Sequence, residues 1–221
     1  MRTRIAVILT VILLASIAGL VGGTPARAAD FVIPPENIAG LTPGVSTVRD
    51  ATRLMGPYDV ALPGVGSHYA GGPLGTTGYY WVPGSRLSRT GVSVETLIGS
   101  PTIILVAVQL TPGVYTSRGL STLVGENVAA SLYGMPDFAY ELRLNDDLVV
   151  RELYYMNQGL MVILRSLNGR PNWMVTDFIL TSPSYLAGAV NERARIAVRG
   201  GRVEDMTYSY RVWARMAVPP A

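Results

Sequence analysis

Cysteine is absent from the 221 residues, lysine is absent too, and histidine occurs once, at His68. Without cysteine there is no disulfide framework, no lipid-bearing N-terminal thiol, and no thiolate for metal binding or nucleophilic attack. The domain must be held by its apolar core alone. One histidine without cysteine or a nearby carboxylate does not assemble a zinc site. Gly64, Gly66, Gly71 and Gly72 complete no phosphate-loop pattern, and no lysine exists to reach a phosphate. An excess of one charge is missing as well. The formal net charge is +3, but Arg2, Arg4 and Arg27 lie in a leader, leaving fifteen arginines against fifteen acidic residues. A neutral body exerts no general pull on nucleic acid or anionic lipid.

The leader is the clearest targeting signal. Arg2 and Arg4 precede an apolar run from Ile5 to Gly23, and Thr24-Pro25-Ala26-Arg27-Ala28-Ala29 follows. A basic start, an apolar middle and small residues at a cleavage point describe a secretory signal peptide. Residues 1–28 are assigned to it, with cleavage after Ala28. The alternative is an uncleaved membrane anchor at residues 5–23, since that run approaches the roughly 20 residues that span a bilayer. Both readings export the body, as a secreted or periplasmic protein or as one tethered to a bacterial envelope.

What remains reads as two versions of one unit. Gly91-Val92-Ser93-Val94 leads through Gly99-Ser100-Pro101 to Ile104, Val106, Val108, Leu110 and Thr111. Gly159-Leu160-Met161-Val162 leads through Asn168-Gly169-Arg170-Pro171 to Met174, Thr176, Phe178, Leu180 and Thr181. Self-similarity at a fixed spacing is the mark of a duplicated supersecondary unit. The domain boundaries follow: 29–113 for a first α+β repeat, 114–182 for a second, and 183–221 for a C-terminal helix and strand.

In the first repeat, Thr42 or Ser46 can cap a helix through Leu54, with Val45, Val48, Ala51 (or Thr52) and Leu54 as its apolar face and Gly56-Pro57 as its stop. A glycine-rich loop is expected at 61–78. In the second repeat, Val128 and Leu132 mark a short helix ended by Gly134 and Pro136. Phe138, Tyr140, Leu142 and Leu144 then alternate with Ala139, Glu141, Arg143 and Asn145, the period-two pattern of a strand with one wet face. Asn168-Gly169 marks a hairpin. Each repeat is therefore a helical segment on a roughly four-stranded antiparallel sheet. Ser182-Pro183 opens a further helix that Gly200-Gly201 ends. Tyr208, Tyr210, Val212 and Ala214 alternate as a last strand would, and this arginine-rich tail can cover an exposed sheet edge or apolar face.

Gly40-Leu41-Thr42 with Leu54, Gly56 and Pro57, matched by Gly119-Leu120-Ser121 with Leu132, Gly134 and Pro136, resembles a motif shared by two exported groups. One is the small lipoprotein of the outer-membrane β-barrel assembly machine; the other is the β-lactamase-inhibitor protein, built of tandem helix-plus-four-strand repeats. The resemblance covers roughly residues 37–182. It implies the fold and a leaning toward protein binding. The chain departs from both groups, lacking the lipidated cysteine of one and the disulfides of the other, and no binding residues carry over.

Signals for chemistry are sparse. Ser67 beside His68 has no nucleophile-elbow context, so a solvated loop histidine is the simpler account. Asn145-Asp146-Asp147 lacks the alternating acids and distal glutamate of a calcium loop and suits a turn. Glu141 and Glu152 on adjacent strands could form a carboxylate pair, but Arg143 and Arg151 favour cross-strand ion pairing. The remaining signal is aromatic. Tyr79, Tyr80, Trp81, Tyr154, Tyr155 and Trp173 are candidate partner-binding residues, because outward rings on a sheet dominate contact energy in interfaces; the plainer alternative packs them all in the core.

The resulting expectation is an exported, cysteine-free α+β protein of the cell envelope or exterior. It acts as a non-catalytic binding or scaffolding module for another protein, with no cofactor, no metal and no nucleic acid, and with a membrane involved only through an uncleaved leader. The rival is a hydrolase using carboxylates or His68 near the glycine-rich loop.

Overall fold

A computed structural model of the chain describes residues 36–63, 75–81, 91–143, 148–166, 172–198 and 202–217. The leader, the 5–23 anchor, His68, the glycines at 64, 66, 71 and 72, Asn145 to Asp147 and the Asn168-Gly169 turn lie outside those residues.

The fold is α+β: one nine-stranded, wholly antiparallel sheet with four helices among the described residues. Helix α1 (Val48–Met55) precedes β1 (Val60–Pro63), β2 (Thr76–Trp81), β3 (Val92–Leu97) and β4 (Ile103–Gln109). Helix α2 (Glu126–Tyr133) precedes β5 (Phe138–Arg143), β6 (Val149–Tyr155), β7 (Leu160–Ser166) and β8 (Trp173–Thr181). Helix α3 (Pro183–Val198), β9 (Val203–Asp205) and helix α4 (Thr207–Ala217) complete the chain. The strand order is β1-β2-β3-β4-β8-β7-β6-β5-β9.

Two four-stranded sheets were expected; instead β4 and β8 pair directly, Val108 opposite Phe178, and fuse both meanders into one sheet. The apolar character of β4 explains the junction. Ile103 to Val108 are all buried, which suits a central strand covered on both faces.

Local chemistry sets the helix ends. Thr47 caps α1: its Oγ1 accepts from Asp50 N at 3.3 Å while Asp50 Oδ2 accepts from Thr47 N at 2.9 Å, a reciprocal arrangement that satisfies two orphan donors. Gly56 (φ 85°) and Gly134 (φ 73°) end α1 and α2 in the left-handed region that costs glycine least. The expected apolar stripe of α1 is only partly inward: Ala51 is fully buried, whereas Val45 and Leu54 are 56% and 57% exposed.

Alternation along the strands separates two buried faces. Val92, Val94, Val106, Val108, Leu153, Tyr155, Leu160, Val162, Phe178 and Leu180 form one core with Ala51 of α1 and with Ala129 and Tyr133 of α2. The intervening residues point the other way, where α3 reaches the sheet with buried Leu186, Ala189 and Val190 and ties Arg193 to Glu152.

The tail departs from expectation. Residues 207–217 are helical rather than extended, and the short strand β9 lies upstream. The period-two pattern was incidental: Tyr208 is 82% exposed, while Tyr210 and Trp213, one helical turn apart, pack together with their rings 5.2 Å apart. β9 covers the outer edge of β5, pairing Leu142 with Val203 and Tyr140 with Asp205. The expected 61–78 loop is shorter than the pattern suggests: 61–63 belong to β1 and 76–78 to β2, which pair with one another.

Candidate functional site

Among the described residues, buried charged groups and one exposed sheet edge are the places to look for chemistry or recognition. The first cluster lies beside α2. Arg151 on β6 reaches Glu126 at 2.6 Å and its cross-strand neighbour Glu141 at 3.1 Å, and stacks over Trp173 at 4.1 Å. Burial pushes the Glu126 carboxyl up and Arg151 pulls it back. The planar guanidinium suits this site because it bonds two carboxylates edge-on while its face rests on a ring.

The second cluster is on the opposite face. Arg193 of α3 holds Glu152 through two bonds of 2.7 and 2.8 Å, and Tyr154 donates to Glu152 at 2.7 Å. Burial, reinforced by the adjacent Glu152 charge, raises the Tyr154 hydroxyl far above the ordinary tyrosine range. This cluster fastens α3 to the sheet. It also separates the two acids of the hydrolase reading: Glu141 faces α2 and shares Arg151 with Glu126, whereas Glu152 faces α3 and is held by Arg193. They share no cleft, so they cannot act together across one glycosidic bond.

The third is Glu95 on β3, 5% exposed, with Oε2 lacking a hydrogen-bond partner among the described residues. Burial pushes its pKa from 4.5 up to about 7, against a modest downward pull from the Thr76 hydroxyl. Burial also raises Tyr80 and Tyr185, and the Glu95 charge adds to both shifts. Asp177, also buried, bonds Arg165 at 3.2 Å and Thr176 at 2.7 Å. No group of three or more metal-ligating side chains exists among the described residues.

The aromatic candidates divide. Trp81, Tyr154 and Tyr155 are at most 1% exposed, so the expectation that they meet a partner is corrected: a sheet covered on both faces leaves alternating rings nowhere to point but inward. Trp81 Nε1 donates to Gly56 O at 2.9 Å, and the Tyr155 hydroxyl approaches Gly134 O at 3.4 Å. Tyr79, Tyr80 and Trp173 are half-buried, Tyr79 edge-on to Tyr58 at 5.0 Å and Trp173 beneath Arg151.

The open edge is where the sequence reasoning did not look. The four residues of β1 are all exposed, and Val60 (41%), Leu62 (44%) and the preceding Tyr58 (40%) bring apolar surface to the end of the sheet. The signal was present as Val60-Ala61-Leu62-Pro63, too short for a periodic pattern and adjoining the glycines. Proline at a strand end, where no ladder N–H is required, is an edge-strand mark.

Comparison of the chain with protein-family models, curated proteins and solved structures finds no match.

Proposed function

We propose that the chain is an exported, non-catalytic binding or scaffolding protein of the cell envelope or exterior, which recognises another protein, and that its body is two copies of one helix-plus-meander unit. The observation that carries the binding reading is the unequal treatment of the two sheet edges. At one end β9 pairs with β5; at the other the apolar strand β1 is exposed. Natural sheets blunt such edges with charge, bulges or covering segments, because unpaired strand groups recruit another chain. Here the exposed side chains are Tyr58, Val60 and Leu62, with no charge among them.

Paired hydrogen bonds support the duplication. α1 and α2 have the same length and begin 78 positions apart, at Val48 and Glu126. Asp59 N donates to Tyr80 O as Asp137 N does to Tyr154 O, and Gln109 N donates to Gly91 O as Thr181 N does to Gly159 O. Thr47 bridges Thr102 as Gly125 bridges Met174. Each hairpin carries one bulge, at Ile104 in β4 and at Thr176 in β8. The bulges match Ile104 with Thr176 and hence Val106 with Phe178. That is two residues away from the match of Val106 with Thr176 suggested by the bare sequence.

The test is site-specific photo-crosslinking of the full-length protein in its own cell envelope, with the reactive group placed in turn at exposed Leu62, Leu97, Leu110 and Tyr115. A defined protein adduct at one or more positions is expected. Failure at every position, with the protein folded and abundant, would remove the binding reading.

A further inference from the structure

We propose that the outer edge of β1 together with the adjoining side of α1 is a docking surface for a strand-then-helix segment of another protein, uncharged on its inward side. The inference rests on the binding and duplication reading above and names the partner's chemistry. The matching surface of the second half is already filled, and its occupant is visible. β9 lies antiparallel on β5, with Arg143 N donating to Arg202 O, Met206 N to Ala139 O and Ala139 N to Thr207 Oγ1. α4 follows at once. Arg211 caps the Pro136 and Asp137 carbonyls at 3.1 and 2.6 Å, and Tyr210 joins the core beside α2.

Seventy-eight positions earlier stand the counterparts, without a covering strand among the described residues. Tyr140, 2% exposed, pairs with Asp205 of β9 at the edge and lies on the α3 face against Tyr154; it corresponds to Leu62 at 44%, and Leu132, packed on the core, corresponds to Leu54 at 57%. Ala139, whose N–H and C=O both face the tail, corresponds to Ala61, placing the same outward pair of backbone groups on β1. Proline is tolerated at position 63 because that residue's N–H would point away from β2.

Differences between the halves define the occupant. Where the second half has Glu126, Arg151 and Glu141 around Tyr210, the first has Val48, Thr77 and Pro63. No buried acid or guanidinium awaits a polar side chain, so the incoming helix presents apolar groups there. A cation remains useful near the Tyr58 and Asp59 carbonyls, as Arg211 is near Pro136 and Asp137.

The probe is a fluorescein-labelled synthetic peptide with the sequence of residues 202–217, the one segment known to fit this architecture. It is titrated against the signal-free full body and followed by fluorescence anisotropy. Saturable binding is expected, weakened about tenfold or more both by Ala61→Pro, which deletes one outward N–H, and by Leu62→Glu, which places charge on the apolar edge. Both positions are exposed, and circular dichroism together with unchanged urea midpoints certifies folding of each variant. No saturation in the millimolar range overturns the proposal. So does binding that either variant leaves unchanged, since the peptide would then be exchanging with the chain's own tail in the second half. Crosslinks in the envelope confined to Leu97, Leu110 or Tyr115 would also remove this surface, while leaving the protein-binding reading intact.

Discussion

Replacing Glu95 with glutamine isolates the energetic cost of one buried carboxyl. Glu95 is 5% exposed, and burial lifts its pKa from 4.5 to about 7. The folded protein therefore holds this proton more tightly than the unfolded chain does. Below pH 4.5 both states are protonated and Glu95 costs nothing. As pH rises from 4.5 to about 7 the unfolded state gives up its proton first, and stability falls. Above 7 both states are ionised, and the folded state carries a penalty of about 3 kcal/mol, from the roughly 1.4 kcal/mol that each pH unit of displacement represents. Glu95→Gln keeps the shape and the hydrogen bonding to Thr76 but cannot ionise. Urea unfolding followed by tryptophan fluorescence at pH 5, 6, 7 and 8 reads the difference between the two proteins, in which the contributions of Asp177 and Glu126 cancel. The variant is expected to exceed the parent in stability by about 0.8 kcal/mol at pH 5 and by about 3 kcal/mol at pH 8. A constant difference across the range would refute the reasoning, because it would mean that Glu95 ionises normally in the folded protein.

Arg193→Met strands Glu152 on a buried face and is expected to cost about 3–5 kcal/mol, whereas adding Glu152→Met recovers much of the loss; thermal midpoints of the single and double variants decide. Thr47→Ala removes the α1 cap and should cost about 1 kcal/mol by urea titration. Trp81→Phe is expected to destabilise by more than Tyr155→Phe, because the first loses a bond of 2.9 Å together with buried ring surface while the second loses only a hydroxyl at 3.4 Å from its acceptor. Equal losses in that pair, measured by chemical denaturation, would contradict the geometry.

Local signals served the helix ends and hairpins well. Gly56 and Gly134 end helices where the Gly-Pro and Gly-Met-Pro runs suggest, and the apolar run from Ile103 to Val108 is central. What was not legible is non-local. Nothing in β4 or β8 states that they pair, because two strands buried on both faces are equally apolar whatever neighbour they take. The tail misled because its aromatics satisfy two periods at once: Tyr208 and Tyr210 alternate as in a strand, while Tyr210 and Trp213 share a helical face. Burial on both sides of the sheet also withdrew Trp81, Tyr154 and Tyr155 from the surface. The exposed apolar residues near the β1 edge, Tyr58, Val60 and Leu62, are too few to form a sequence pattern. The ion pair between Glu141 and Arg151 was readable from cross-strand spacing, but the role of Arg193 was not, since α3 reaches Glu152 from 41 residues away.

The central claim proposed above is that the edge of β5 is closed by the chain's own tail, whereas the edge of β1 has no covering strand among the described residues. Residue-resolved hydrogen exchange on the purified body compares Ala61 N–H with Ala139 N–H, the matched outward groups of β1 and β5. The account predicts rapid exchange at Ala61 and strong protection at Ala139, which is bonded to Thr207. Equal protection at the two amides would contradict it.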